Sequence, residues 1–154
     1  MRSPRIALVL AFLLGGTSVA ALHASSVMDE LLNTTVYQWS TLRAQESASG
    51  STRQYFDRPT SSLLGLALRA RTVAPGATPH PIVPNSGPRE LVLIVKEGVL
   101  EIKLGDKAPV KIDAGSAVFL ASNQVYFIRN KGTTPATYYE FNWLSPGMAG
   151  ERQY

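Results

Sequence analysis

Two histidines, His23 and His80, are the only side chains of this chain whose ordinary pKa lies near neutrality, and there is no cysteine. That scarcity excludes thiolate chemistry, disulfides and any three-histidine metal centre within one chain. His80 lies in Thr78–Pro88, a stretch with four prolines and one glycine, which reads as an ordered loop or an edge segment. A histidine there is placed to transfer protons at the mouth of a pocket, and equally to form a structural hydrogen bond at the surface. Glu90 follows as a candidate pocket acid; a pairing with Arg89 or another surface arginine is the competing reading. Arg129 and Glu140 sit on segments that can neighbour each other and read as an exposed cross-strand pair. Asn130 reads as a turn residue.

The elements that must position these groups are short strands. Glu90–Lys103 holds an apolar run, a turn at Gly98 and a second, alternating run, the pattern of a β-hairpin. Val110–Ile112, Ala117–Leu120 and Val125–Ile128 follow, separated by turns at Asp113-Ala114-Gly115 and Ser122-Asn123. Thr137–Trp143 is a closing strand, stopped by Ser145-Pro146-Gly147, and the last residues are expected to fray. Upstream, Leu63–Val73 reads as a strand from this context, although Leu66 and Leu68 alternate only imperfectly with Arg69 and Arg71. Arg53–Asp57 begins a strand, Gln45–Thr52 reads as a surface loop, and Thr34–Leu42 as a first strand or extended arm. Ser26-Val27-Met28-Asp29 has a capping-box pattern ahead of one short helix.

The first residues look like a targeting segment. Arg2 and Arg5 flank an apolar run, Ile6–Leu14, which is too short to span a bilayer comfortably. Ser18-Val19-Ala20 fits a small-x-small cleavage site, with Ala24 as the alternative. An uncleaved anchor is the competing reading. The expectation is export to a periplasm or beyond, without a stable membrane anchor after processing. The formal net charge of +4 falls to 13 basic against 11 acidic groups once those two arginines are set aside. No basic cluster remains to bind nucleic acid. A chain of 154 residues with 45% hydrophobic content can bury one core. The expected organisation is a signal peptide over 1–24, an N-terminal arm over 25–52, one β-barrel domain over 53–144 and a tail over 145–154.

Several features together resemble the cupins, the small jelly-roll barrels. They are Pro75-Gly76 before a histidine, Glu97-Gly98 closing the first hairpin, Gly115-Ser116 before the next strand, and Asn130 with Thr134-Pro135-Ala136-Thr137-Tyr138. Arg53–Asp57 followed by Pro59-Thr60 is similar to a branch of small exported bacterial cupins. The resemblance spans Trp39 to Trp143 and implies a single all-β jelly-roll barrel, behind a short N-terminal helix or arm. It also implies a possible homodimer, with Thr34–Leu42 as a candidate arm.

In most cupins two histidines and a glutamate from one motif and a histidine from a second hold a divalent metal. Here Leu91 stands at the glutamate position and Tyr126 at the second-motif histidine, and Ile82–Gly87 holds no histidine. Glu90 is one residue off, which in a strand means the opposite face unless a bulge restores it. A site built from His80, Glu90 and Asn85 is the least favoured reading, so no metal and no cofactor are expected. If Leu91 faces inward, so do Leu93 and Val95, with Tyr126 and Ile128 opposite. They would line an apolar ligand pocket in which the Tyr126 hydroxyl is the one polar handle, or Tyr126 would simply fill the space a metal vacated.

The leading expectation is therefore a metal-free module that binds a small molecule or serves structurally. The alternative is a metal-independent epimerase- or isomerase-like enzyme with His80 and Tyr126 as its proton-transfer pair and Glu90 as a further candidate. A metal enzyme with unusual ligands comes last.

Overall fold

The computed structural model describes residues 31–79, 83–84 and 88–149. The chain divides into two compact units, Met1–Leu31 and Leu32–Tyr154. The expected signal segment lies outside the described residues, as do His23, His80, Asn85 and most of the helix expected from Ser26 onward.

The second unit is built from antiparallel strands: β1 (Ala44–Ser47), β2 (Gly50–Arg58), β3 (Gly65–Val73), β4 (Val83–Pro84), β5 (Glu90–Glu97), β6 (Val99–Leu104), β7 (Val110–Asp113), β8 (Ala117–Leu120), β9 (Val125–Arg129) and β10 (Ala136–Leu144). They form a six-stranded sheet in the order β1-β2-β3-β10-β5-β8 and a four-stranded sheet in the order β4-β9-β6-β7. The all-β architecture expected from the strand spacing is the one observed. The β5–β6 hairpin turns at Gly98, whose φ is +80°. A Cβ there would lie 2.7 Å from the Ala136 Cβ, so the turn needs glycine for both conformation and space.

The core lies between the inward faces of the strands. It comprises Val73, Leu91, Leu93, Val95, Leu100, Ile102, Ile112, Leu120, Ile128, Ala136 and Tyr138. Fully burying each of the larger aliphatic chains contributes roughly 1.5–3 kcal/mol, an upper value because the unfolded chain is not fully extended.

One local expectation changes. Residues 45–52 are not a loop but the heart of the β1–β2 hairpin, so the sheet begins at Ala44 rather than near residue 53. Serine hydroxyls tie this turn down: Ser47 Oγ donates to the Gly50 carbonyl at 3.1 Å and lies 3.2 Å from Ser49 Oγ. Gly50, at φ +132°, lets the hairpin close onto β3, where any Cβ would meet the Thr72 carbonyl oxygen. Of the two readings of residues 34–42, strand or arm, the arm is the one observed. They are an arm with one 3₁₀ turn, Trp39–Thr41, and the Arg53 and Lys96 cations lie over the Trp39 ring at 4.7 and 4.5 Å. At the other end, Pro146–Ala149 forms a helical turn, and residues 150–154, where fraying is expected, lie outside the described residues.

Asn130 is far more than a turn residue. It is completely buried, and its side-chain amide donates to the carbonyls of Val73 and Thr134, both at 2.9 Å. Its Oδ1 accepts from the Gly132 N–H at 2.8 Å, while its backbone bonds to Gly76 and Ala77. One side chain thereby fixes the exit of β3 to the loop that leads into β10.

Candidate functional site on the polar wall of the barrel

Cross-strand partners share a face, so the register assigns the inward residues in rows. One row runs Thr52, Arg71, Tyr138, Val95 across β2, β3, β10 and β5. The next runs Gln54, Arg69, Glu140, Leu93, Val118, and the third Asp57, Ala67, Asn142, Leu91, Leu120. The barrel wall is therefore apolar on β5 and β8 and polar on β2, β3 and β10. The imperfect alternation in β3 has its explanation here: Arg69 and Arg71 point inward with Ala67 and Val73, and Leu66 and Leu68 point outward.

Glu140 is the centre of the polar wall. Its side chain is 7% exposed. It accepts from Arg71 Nε at 2.8 Å and pairs with Arg69 Nη1 at 3.5 Å. Arg69 Nη2 reaches Asp57 at 2.6 Å. The Glu140 reading as an exposed partner of Arg129 is thus corrected: Arg129 lies opposite Glu101, on β6. Burial is the largest single influence on Arg71 and works against its charge, but the charge and hydrogen bond of Glu140 together with Tyr138 and Tyr126 hold the guanidinium above its usual range.

Two phenols face this cluster. Tyr126, on β9, lies opposite Leu104, and its pKa is pushed up to about 12, first by burial and then by the Glu140 charge, against the lowering effect of Arg71 and Arg69. Tyr138 is 1% exposed, and burial followed by Glu140 raises its pKa strongly. Its hydroxyl is buried and has no hydrogen-bond partner among the described residues. Both phenols are therefore neutral hydrogen-bond donors across the whole physiological range.

Beside Arg71 a cavity of about 290 Å³ opens, lined also by Thr52, Ser47, Ser49, Ser51 and Glu46. Its lining brings Arg71 together with serine and threonine residues and the acidic Glu46. At the far end of the same wall, Arg89 Nη1 donates to the Asn142 Oδ1 at 3.0 Å.

The residues expected from sequence fall into two groups. Leu91, Leu93, Val95 and Ile128 are buried in the core, and Tyr126 packs against it. Glu90 pairs with Trp143 in unbroken register and so faces outward; the only shift in the β5–β10 ladder lies between Thr137 and Tyr138. No bulge turns Glu90 inward, and it does not meet Tyr126. His80 lies outside the described residues. Sequence reasoning misses Arg69, Arg71 and Glu140 as site residues. The signal is present: Arg69 and Arg71 share parity with Val73, and Glu140 with Tyr138 and Asn142. It is masked because a charged strand residue ordinarily belongs to solvent.

No family model matches the sequence, and no curated protein matches it. Solved structures do match the fold. The cupin domain of Cnp3 from Schizosaccharomyces pombe superposes with a TM-score of 0.61 at 14% identity, covering 79% of this chain and 86% of that one. A sugar phosphate isomerase from a cupin superfamily, from Silicibacter pomeroyi, gives 0.60 at 13% identity, covering 73% and 77%. KdgF from Halomonas sp. gives 0.59 at 11% identity, covering 73% and 97%. At these identities the likeness is one of fold: the chain has the cupin fold.

The divalent metal that the cupin resemblance implies does not fit this wall. Its carboxylates, Glu140 and Asp57, are already engaged by Arg69 and Arg71. The phenols are too costly to ionise as ligands, and Leu91 has no lone pair. Among the described residues no group of three or more potential ligands from His, Cys, Asp and Glu comes together.

Proposed function

We propose that this chain is an exported, metal-independent module that binds a small polar molecule against the Arg69–Glu140–Arg71 wall. The observation that carries the reading is Glu140, buried between two arginines inside a barrel whose other walls are aliphatic. Such a triad is a poor device for stability. Apolar residues of similar volume are often as good or better, because the charges must be stripped of water. It is a good device for recognition, since it fixes guanidinium groups in one orientation before a ligand arrives. The neutral phenols of Tyr126 and Tyr138 add directional donors next to it. The fold neighbours include a sugar phosphate isomerase, which supports a small polar ligand.

A second reading is a proton-transfer enzyme. Its candidate acid is Tyr126, a phenol near two guanidinium groups whose pKa, pushed up to about 12, suits it to protonate only a strongly basic centre developing on the substrate.

The test is calorimetric titration with a panel of sugars, sugar phosphates and organic acids, repeated on Glu140→Gln and Tyr126→Phe. A compound whose affinity drops by about tenfold or more in either variant, roughly 1.4 kcal/mol or above, supports the binding reading. Catalytic turnover of that compound, lost in Tyr126→Phe with binding retained, favours the enzyme instead. Binding indifferent to both substitutions contradicts the site.

A further inference from the structure

Arg71 uses only half of its guanidinium inside the protein. Nε is committed to Glu140 at 2.8 Å. The remaining edge, Nη1 and Nη2 with four N–H bonds, has one partner among the described residues, Thr52 Oγ1, at the 3.5 Å limit of hydrogen bonding. Yet this side chain is only 16% exposed, so water satisfies it less freely than at an open surface. Its inner edge is locked by Glu140, which sets the plane and direction of the outer one. That is a preformed fork, and the acceptor that matches a guanidinium edge in width and plane is a carboxylate.

The surroundings narrow the class further. Arg71 lines the cavity of about 290 Å³, whose rim carries the hydroxyls of Ser47, Ser49, Ser51 and Thr52. Hydroxyls both donate and accept, which suits a hydroxylated ligand better than an aliphatic one. The cavity's own ionisable lining is one cation, Arg71, and one carboxylate, Glu46. A single carboxylate on the ligand meets the Arg71 fork, whereas a phosphate monoester, with about −1.5 to −2 charge, would set its second charge against Glu46 and Glu140.

We infer that the ligand of this pocket is a small hydroxylated monocarboxylate, its carboxylate held on the outer edge of Arg71 and its hydroxyls on the serine and threonine rim. The inference rests on the small-molecule reading above and names the ligand class for it.

The experiment compares three probes on the purified full chain by titration calorimetry: gluconate, glucitol, which has the same hydroxylated chain without the carboxylate, and inorganic phosphate. Gluconate is expected to bind, glucitol to bind at least about tenfold more weakly, and gluconate affinity to fall as salt rises. Arg71→Lys keeps the charge beside Glu140 and removes the planar fork. It is expected to weaken gluconate by about tenfold or more while leaving the melting temperature close to the parent's. Equal binding of gluconate and glucitol would overturn the carboxylate assignment and leave the small-molecule reading standing. So would tighter binding of phosphate than of gluconate, or the binding of other polar compounds but none of these three. Gluconate binding unchanged in Arg71→Lys would move the site away from Arg71. Should Arg71→Lys fail to fold, the ranking of the three probes on the parent chain decides by itself. If no compound of the wider panel binds, the small-molecule reading itself falls.

Discussion

Replacing Asn130 by aspartate keeps the shape of the side chain and reverses the sense of two hydrogen bonds. The Asn130 amide nitrogen donates to the carbonyls of Val73 and Thr134, while Oδ1 accepts from the Gly132 N–H. In Asn130→Asp the acceptor role survives, but an ionised oxygen now faces two carbonyl oxygens at a position with no exposure. The carboxyl therefore prefers its proton, so its folded pKa lies above the unfolded value of about 3.9. The folded state then holds more protons than the unfolded state, and stability falls as pH rises between those two values. The slope is about 1.4 kcal/mol per pH unit, which sets a ceiling of about 4 kcal/mol lost between pH 4 and 7. Even fully protonated, the variant recovers only one of the two donated bonds, a loss of about 1–3 kcal/mol. Asn130→Ala provides the control without a charge: it leaves Val73, Thr134 and Gly132 groups unpaired, costs about 2–4 kcal/mol and shows no such pH slope relative to the parent. Urea unfolding of the three proteins at pH 4, 5.5 and 7 measures all of this. An aspartate variant as stable as the parent at pH 7, or one whose deficit does not grow with pH, would refute the buried-clamp reasoning.

The Tyr126 phenol should ionise near pH 12, as read from the difference in phenolate absorbance between the parent and Tyr126→Phe; a difference transition at the ordinary tyrosine pKa of about 10 would show that it is not buried against Glu140. Because its folded pKa is raised, that phenol costs the fold stability as pH climbs from about 10 towards 12, so Tyr126→Phe should resist alkali better than the parent in a pH-jump unfolding series. Gly98→Ala should lower stability by about 2–4 kcal/mol in denaturant unfolding, combining left-handed strain with contact against Ala136; a neutral result would mean that the hairpin turns differently. Elemental analysis after dialysis should give far less than one Mn, Fe, Ni or Zn per chain, and a one-to-one content would put the metal reading first. Mass spectrometry of protein secreted by a bacterial host should show an N-terminus shortened near Ala20, and a full-length soluble product would remove export.

Much of the barrel was legible in the sequence because its β-rich runs are short, evenly spaced and separated by strong turn residues. Leu91, Leu93 and Val95 share parity along one strand, and their burial follows from that alone. The β1–β2 hairpin was illegible for a physical reason. Residues 45–52 have the small, polar composition of a solvated loop, and no apolar alternation marks a face. Here the exposed Ser47 hydroxyl bonds across the turn to the Gly50 carbonyl and lies beside Ser49 Oγ, and Gly50 packs the hairpin onto β3.

The polar wall was illegible for a different reason. Strand parity puts Arg69, Arg71 and Glu140 on the inward face, but a charged side chain in a strand ordinarily belongs to solvent. Only the register of β3 against β10 brings Glu140 opposite Arg69 and one row from Arg71, and no local pattern encodes that pairing. Glu90 shows the converse. Its neighbourhood suggested a pocket acid, yet the unbroken ladder with Trp143 turns it outward.

The most direct test of the polar wall is a crystal structure of the protein with the tightest-binding compound of the panel. The ligand is expected to lie against Arg71 and Thr52, with a polar group on the outer edge of the guanidinium and Glu140 still held by Arg71 Nε. A ligand seated instead on the outer face of the six-stranded sheet, beside the stacked rings of Phe119 and Trp143, would contradict the assignment of Arg69, Glu140 and Arg71 as the binding wall.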